Sequence, residues 1–203
     1  KQNTITATTS NASTEATIGG GLQNLIWDST AGTIAGGDSN TISASTTGTI
    51  GGGDLNIISG NSRYAAILGG QKNKLGELSS WSTMGGGFEN YIWYYSEYAA
   101  LLSGFRNKLY DNSDYSLLGG GYWNRVSASS YSVLVGGEYN FISGDTPTRS
   151  RRNFIGSGLE NYIVGARSSS IVGGEQNYIY SGSNFSFIGG GKLNQIYQQR
   201  SAP

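Results

Sequence analysis

An aliphatic–Gly–Gly–x–x–Asn–x–aliphatic phrase returns along this chain at a nearly constant interval, and that period limits the possible folds more than any local propensity. Its last copy reads Ile188, Gly189, Gly190, Gly191, Lys192, Leu193, Asn194, Gln195, Ile196. The asparagines of the successive copies are Asn24, Asn40, Asn56, Asn73, Asn90, Asn107, Asn124, Asn140, Asn161, Asn177 and Asn194. They stand 16 or 17 residues apart, except for one step of 21 before Asn161. Asn3, with Ile5 two residues on, looks like the tail of a further copy 21 residues before Asn24. A short fixed period marks a solenoid, in which each repeat buries its apolar side only against its neighbours. The expected fold is all-β: a parallel β-solenoid, or β-roll, of about eleven 16–17-residue coils. Residues 1–15 read as a lead-in with a half-coil, 16–197 as the repeat domain and 198–203 as a polar tail.

Counting each coil from its Asn gives two aliphatic columns. Two residues after the Asn the chain has Ile, Leu or Val in every copy, from Ile26 to Ile196. Six before it stands Ile, Leu or Met, from Ile18 to Ile188. Eight before it the residue is small, as in Gly32, Ala65 and Ser82, with Asn153 the outlier. Alternate residues of a strand share a face. Each coil therefore has two short strands, one on either side of the Gly-Gly turn, each pointing aliphatic side chains into a thin core. Gly stands three before every Asn, from Gly21 to Gly191, which indicates backbone of positive φ. The Asn is expected at the corner, its amide bonding backbone groups or the Asn of the next coil. None of these asparagines has Ser or Thr two residues on, so the column is structural and not a glycosylation signal.

The two outward faces differ. Seven and five before the Asn the chain carries no charge: Thr17, Thr33 and Thr49 lead on to Ala66, Leu68, Ala100, Leu102, Leu117, Val133, Val135, Phe154, Val172 and Phe187. A water-facing sheet would carry charge. An uncharged face of this length calls for a partner, and the expected one is the same face of identical chains. From Gly85 on, Gly alternates with Leu or Val five before the Asn, a profile of small beside large. The opposite face holds Lys72, Lys74, Glu89, Arg106, Lys108, Arg125 and Glu160.

Composition excludes several classes. Thirteen basic residues balance thirteen acidic ones, which removes the electrostatic case for nucleic acid as a partner. Cysteine and histidine are both absent, so there is neither thiolate nor imidazole chemistry, and neither a metal nor a cofactor is expected. No apolar run is long enough to insert in a membrane. Catalysis would have to rest on carboxylates such as Asp38 and Asp54, equivalent in adjacent coils, as in a polysaccharide-degrading tailspike. The expectation is that the chain is not an enzyme.

Aromatic residues form two groups. Tyr64, Trp81, Tyr98, Tyr115 and Tyr131 each stand nine before an Asn and should stack coil upon coil. A second group projects from the charged face, and its members Tyr91, Trp93, Tyr110, Tyr122 and Trp123 are candidates for glycan contact. Arg149, Arg151 and Arg152, in the longer coil beside Pro147, are further candidates for an acidic sugar.

The phrase, as in Thr49, Ile50, Gly51, Gly52, Gly53, then Asn56 and Ile58, Ser59, Gly60, resembles the repeats of YadA-like trimeric adhesin heads. Similar repeats occur in bacteriophage fibre proteins. The resemblance implies a left-handed roll, three chains packing their inner sheets about a three-fold axis, and a non-catalytic, extracellular role as a structural or adhesive fibre. A cell-surface, secreted or virion-borne rod, a homotrimer or an end-to-end filament, is the expectation, with glycan recognition by the outer aromatics as the alternative.

Overall fold

A computed structural model describes residues 2–7, 15–144 and 150–198. The described chain has no helix and winds as a parallel β-solenoid of about eleven coils. One sheet of twelve strands runs from Thr4–Thr6 through Leu25–Trp27 and Thr41–Ser43 to Gln195–Ile196. The other, of eleven, runs from Thr17–Ile18 through Thr33–Ile34 to Phe187–Ile188. Every strand pairs in register with its equivalent one coil away, as Ile26 with Ile42 and Ile34 with Ile50. The half-coil around Asn3 is the first member of the stack, with Ile5 paired to Ile26.

Both aliphatic columns point inward and are sealed, from Ile26 and Ile34 to Ile171 and Ile179. Ile18 and Ile196, in the end coils, are only partly buried. The neighbouring small column follows from the width of this slot. A Cβ added at Gly48 would lie 3.1 Å from Ile42 Cγ2, and one at Gly32 2.9 Å from Ser29 Oγ. Asn153 fits there because its amide replaces a hydroxyl. Ser82, Ser116 and Ser169 each donate to a carbonyl in the second half of their own coil, at Ser96, Ser129 and Ser183. Asn153 Nδ2 donates to the corresponding Ala166 carbonyl at 2.9 Å, and its Oδ1 accepts Ser169 N–H.

The corner is a continuous polar ladder. Each Asn Oδ1 accepts the backbone N–H of the next Asn, at 3.0 Å from Asn73 to Asn90. From Asn24 to Asn177 each Nδ2 reaches the carbonyl four residues back and the Gly carbonyl of the coil above, as Asn90 does with Gly86 and Gly104. The Gly three before the Asn has φ between 85° and 103°. A Cβ at Gly53 would sit 2.0 Å from the Gly70 carbonyl oxygen, so this column has no room for a side chain.

Three features go beyond the expected pattern. A third column of single parallel bridges, two before each Asn, links Leu22, Asp38, Asp54 and so on to Lys192. The next residue, from Gln23 (φ 56°) to Leu193 (φ 60°), is left-handed although it is never Gly. That conformation turns its N–H onto the coil below, as Lys72 N–H onto the Asp54 carbonyl, and the bond offsets a strain of roughly 1–2 kcal/mol. A second buried ladder runs through Ser62, Ser79, Ser96 and Ser113, each hydroxyl accepting the N–H of the next serine.

The small-beside-large profile of the uncharged face extends back to Gly19, and its cause lies within the chain. A Cβ at Gly51, Gly85, Gly119 or Gly156 would stand 2.2–2.4 Å from the carbonyl oxygen of Leu68, Leu102, Val135 or Val172 in the next coil. The fold thus repeats every two coils on this face and leaves an aliphatic side chain projecting from each second one.

Candidate functional site

The uncharged face is open in the single chain. Leu68, Leu102, Val135, Val172 and Phe187 are 61, 53, 51, 47 and 67% exposed. Ala66, Ala100, Leu117, Val133 and Phe154 lie half-buried between them on the same sheet. These residues form one apolar strip from the fourth coil to the eleventh, with projecting groups roughly 10 Å apart, twice the spacing of adjacent strands.

Along the edge of this strip run Tyr64, Trp81, Tyr98, Tyr115 and Tyr131. Successive rings stack face to face at 5.8, 5.0, 4.8 and 5.0 Å. Stacked this way, the three inner rings offer solvent only their edges, and a sugar needs a ring face. Ring stacking of this kind stiffens the stack of coils. The environment raises the Tyr115 phenol above its ordinary value, first through desolvation between its neighbours, then through Tyr98 and Tyr131.

The other aromatic candidates fall into two adjoining clusters on the charged sheet. Tyr122 stacks on Phe105 at 5.3 Å and meets Tyr139 edge-on. Trp123 stacks on Tyr139, with the Arg106 guanidinium 5.4 Å from its centre. Arg106 itself is held by Glu89, whose hydrogen bond is the main reason its pKa is raised. These rings are largely engaged with one another.

Tyr91, Trp93 and Tyr110 are arranged differently. With Tyr94, Lys74, Lys108 and Arg125 they line an open hollow of about 270 Å³. Lys74 Nζ lies 4.0 Å from the Trp93 ring centre, and Lys108 Nζ 5.4 Å from that of Tyr91. Arg125 lies between Tyr110 and Phe141, at 5.8 and 5.7 Å. Lys108 also reaches toward Trp123 at 6.0 Å, which joins the two clusters. The sequence pattern marked the rings but not this interleaving with cations. The register supplies it, because Lys74, Tyr91, Lys108, Arg125 and Phe141 occupy one outward column in five successive coils.

The arginines of the longer coil lie elsewhere. Arg151 is in a two-residue strand paired with Ser129–Ser130, and Arg152 takes the place after Tyr131 in the aromatic column beside the uncharged face. Both are exposed and separate from Tyr91 and Trp93. Arg149 falls outside the described residues. Asp38 and Asp54 are bridged neighbours; Asp54 accepts a 2.7 Å bond from Gln71 Nε2, and Asp38 one from Ser39. Among the described residues no three acidic side chains gather as a metal site would require, and no helix is long and apolar enough to cross a membrane. No protein-family model matches this chain, and no curated protein matches it.

Proposed function

We propose that this chain is a non-catalytic extracellular fibre protein, structural and adhesive, that associates with copies of itself through its uncharged sheet. A homotrimer about a common axis or an end-to-end filament would each use the solenoid as a rod. The observation that carries this reading is the row Leu68, Leu102, Val135 and Val172, side chains about half exposed on a face with no charge in eleven coils. Burying such a strip against its own copy removes apolar surface from water at roughly 25 cal/mol per Å². It also needs no charge complementarity, which the face does not offer.

The test uses the exposure itself. Leu102 is not needed by the core of its own coil, so Leu102→Asp leaves the single chain folded but sets a carboxylate into the association face. Lys72→Asp makes the same charge on the opposite surface, at an exposed left-handed position that Asp tolerates. Sedimentation equilibrium should give a multiple of the 21.4 kDa chain mass for the wild type and Lys72→Asp, and a smaller mass for Leu102→Asp. A monomeric wild type, or equal masses for the two variants, overturns the proposal.

A further inference from the structure

The hollow between Tyr91, Trp93, Tyr110, Lys74, Lys108 and Arg125 brings two properties together in one place. The first is unbalanced charge. The chain as a whole is neutral, yet Lys108 and Arg125 are direct cross-strand partners, a like-charge pairing that costs stability. Lys74 stands two coils from Lys108 in the same column. Among the described residues the ion pairs are Arg106 with Glu89 and Lys192 with Glu175; Lys74, Lys108 and Arg125 have none. Glu89, which lines the adjoining hollow with Lys72 and Lys74, is already taken by Arg106. Arg125 Nε is also shielded from solvent and has no acceptor, a donor the chain leaves unused.

The second property is the state of the rings. Tyr64 to Tyr131 and Phe88 to Tyr122 are stacked face to face in column. Trp93 has only an edge contact with Tyr94, and Tyr91 and Tyr110 have no ring stacked on them among the described residues; their neighbours are the cations. Ring faces that no other ring covers suit the apolar face of a pyranose. Cations one and two strand spacings apart in a column suit the acidic groups that successive sugar units carry.

From this pairing we infer that the hollow binds an anionic saccharide. Sugar rings lie against Trp93, Tyr91 and Tyr110, and carboxylate or sulfate oxygens accept from Lys74, Lys108 and Arg125. The site is on the sheet opposite the uncharged face, so it is independent of the assembly proposal: a monomer and an oligomer both present it. A free phosphate or sulfate ion would engage the cations but leave the rings unused. A neutral glycan would use the rings but leave the cations unpaired.

The experiment is isothermal titration of the whole chain with four probes: a heparin hexasaccharide, an oligogalacturonate of equal length, a neutral cello-oligosaccharide and single-stranded DNA. At least one acidic sugar should bind about tenfold or more tighter than both the neutral sugar and DNA, with affinity falling as salt rises. Which of the two binds tells sulfate from carboxylate. Lys108→Gln and Arg125→Gln should each weaken that binding about tenfold, the scale of one charge-assisted hydrogen bond. Trp93→Ala should weaken it too, and Lys192→Gln, elsewhere on the surface, should not. Should Trp93→Ala fail to fold, the two Gln variants carry the test alone. Binding to neither acid, equal binding of the neutral sugar or of DNA, or full affinity in both Gln variants overturns the inference. None of these results depends on the chain's oligomeric mass.

Discussion

The side-chain oxygen of Asn107 accepts the backbone N–H of Asn124 at 2.8 Å, while its amide nitrogen donates to the carbonyls of Ser103 and Gly121 at 3.2 and 2.9 Å. One fully buried side chain thus ties its own turn to the next coil at two points. Asn107→Leu keeps the approximate volume but orphans the buried Asn124 N–H, and should cost about 3 kcal/mol. Asn194 lies partly exposed in the last coil described, and Asn194→Leu should cost clearly less. Thermal melts followed by circular dichroism decide this; equal losses at the two sites would mean the ladder is not what holds the coils in register.

Adjacent glycines of one turn should respond in opposite ways. Gly37 has φ 92°, and an added Cβ would meet the Gly53 oxygen at 2.2 Å and Asn40 Nδ2 at 2.6 Å. The same atom at Gly36 meets nothing within 4 Å. Gly37→Ala should lose several kcal/mol, about 1–2 of it from the backbone alone. Gly36→Ala should be neutral or gain up to about 1 kcal/mol by restricting the unfolded chain. Paired urea melts of the two variants measure the contrast, and comparable midpoints would refute the steric account.

The period made most of the coil legible in the sequence, because a one-dimensional stack repeats every contact. Ile34 and Ile50 must be inward if Ile18 is, and a Gly that never varies must have a backbone reason. What stayed hidden was anything whose residue type varies along a column. The left-handed position before the Asn holds Gln23, Leu55, Trp123 and Glu160, residues with no common propensity, since the bond to the coil below and not the side chain sets its conformation. The bridge column at Asp38, Phe88 and Leu159 is hidden for the same reason. The serine ladder did repeat, but its interval to the Asn shifts between five and six residues, which blurs the column: Ser113 follows Asn107 by six, and Ser129, whose N–H the Ser113 hydroxyl accepts, follows Asn124 by five. The aromatic candidates were visible as residues. Only the register showed which rings cover each other and which stand among cations.

Self-association has a thermodynamic consequence apart from mass. Surface covered by a second chain adds stability that grows with concentration. The wild-type melting temperature should therefore rise across a hundredfold dilution series, read from low to high, and that of Leu102→Asp should stay flat. A wild type that melts at one temperature throughout would speak against an assembly coupled to folding.

Alkali should loosen the stack through its phenols. Tyr115 is held above its ordinary value of 10.0 by desolvation between Tyr98 and Tyr131 and then by their charge; Tyr162 is raised by burial and then by Glu160. The folded chain keeps these protons more tightly than the unfolded one. The stability they carry is therefore whole below pH 10.0 and is lost as pH rises through the raised folded values, where the unfolded chain has already ionised. The melting temperature should hold from neutral pH to near 10.0 and then fall. Tyr115→Phe combined with Tyr162→Phe keeps both rings and removes both hydroxyls, so its decline above that point should be shallower. Melts of the two proteins across the alkaline range compare the slopes directly; parallel declines would mean that these two phenols ionise alike in the folded and unfolded chain.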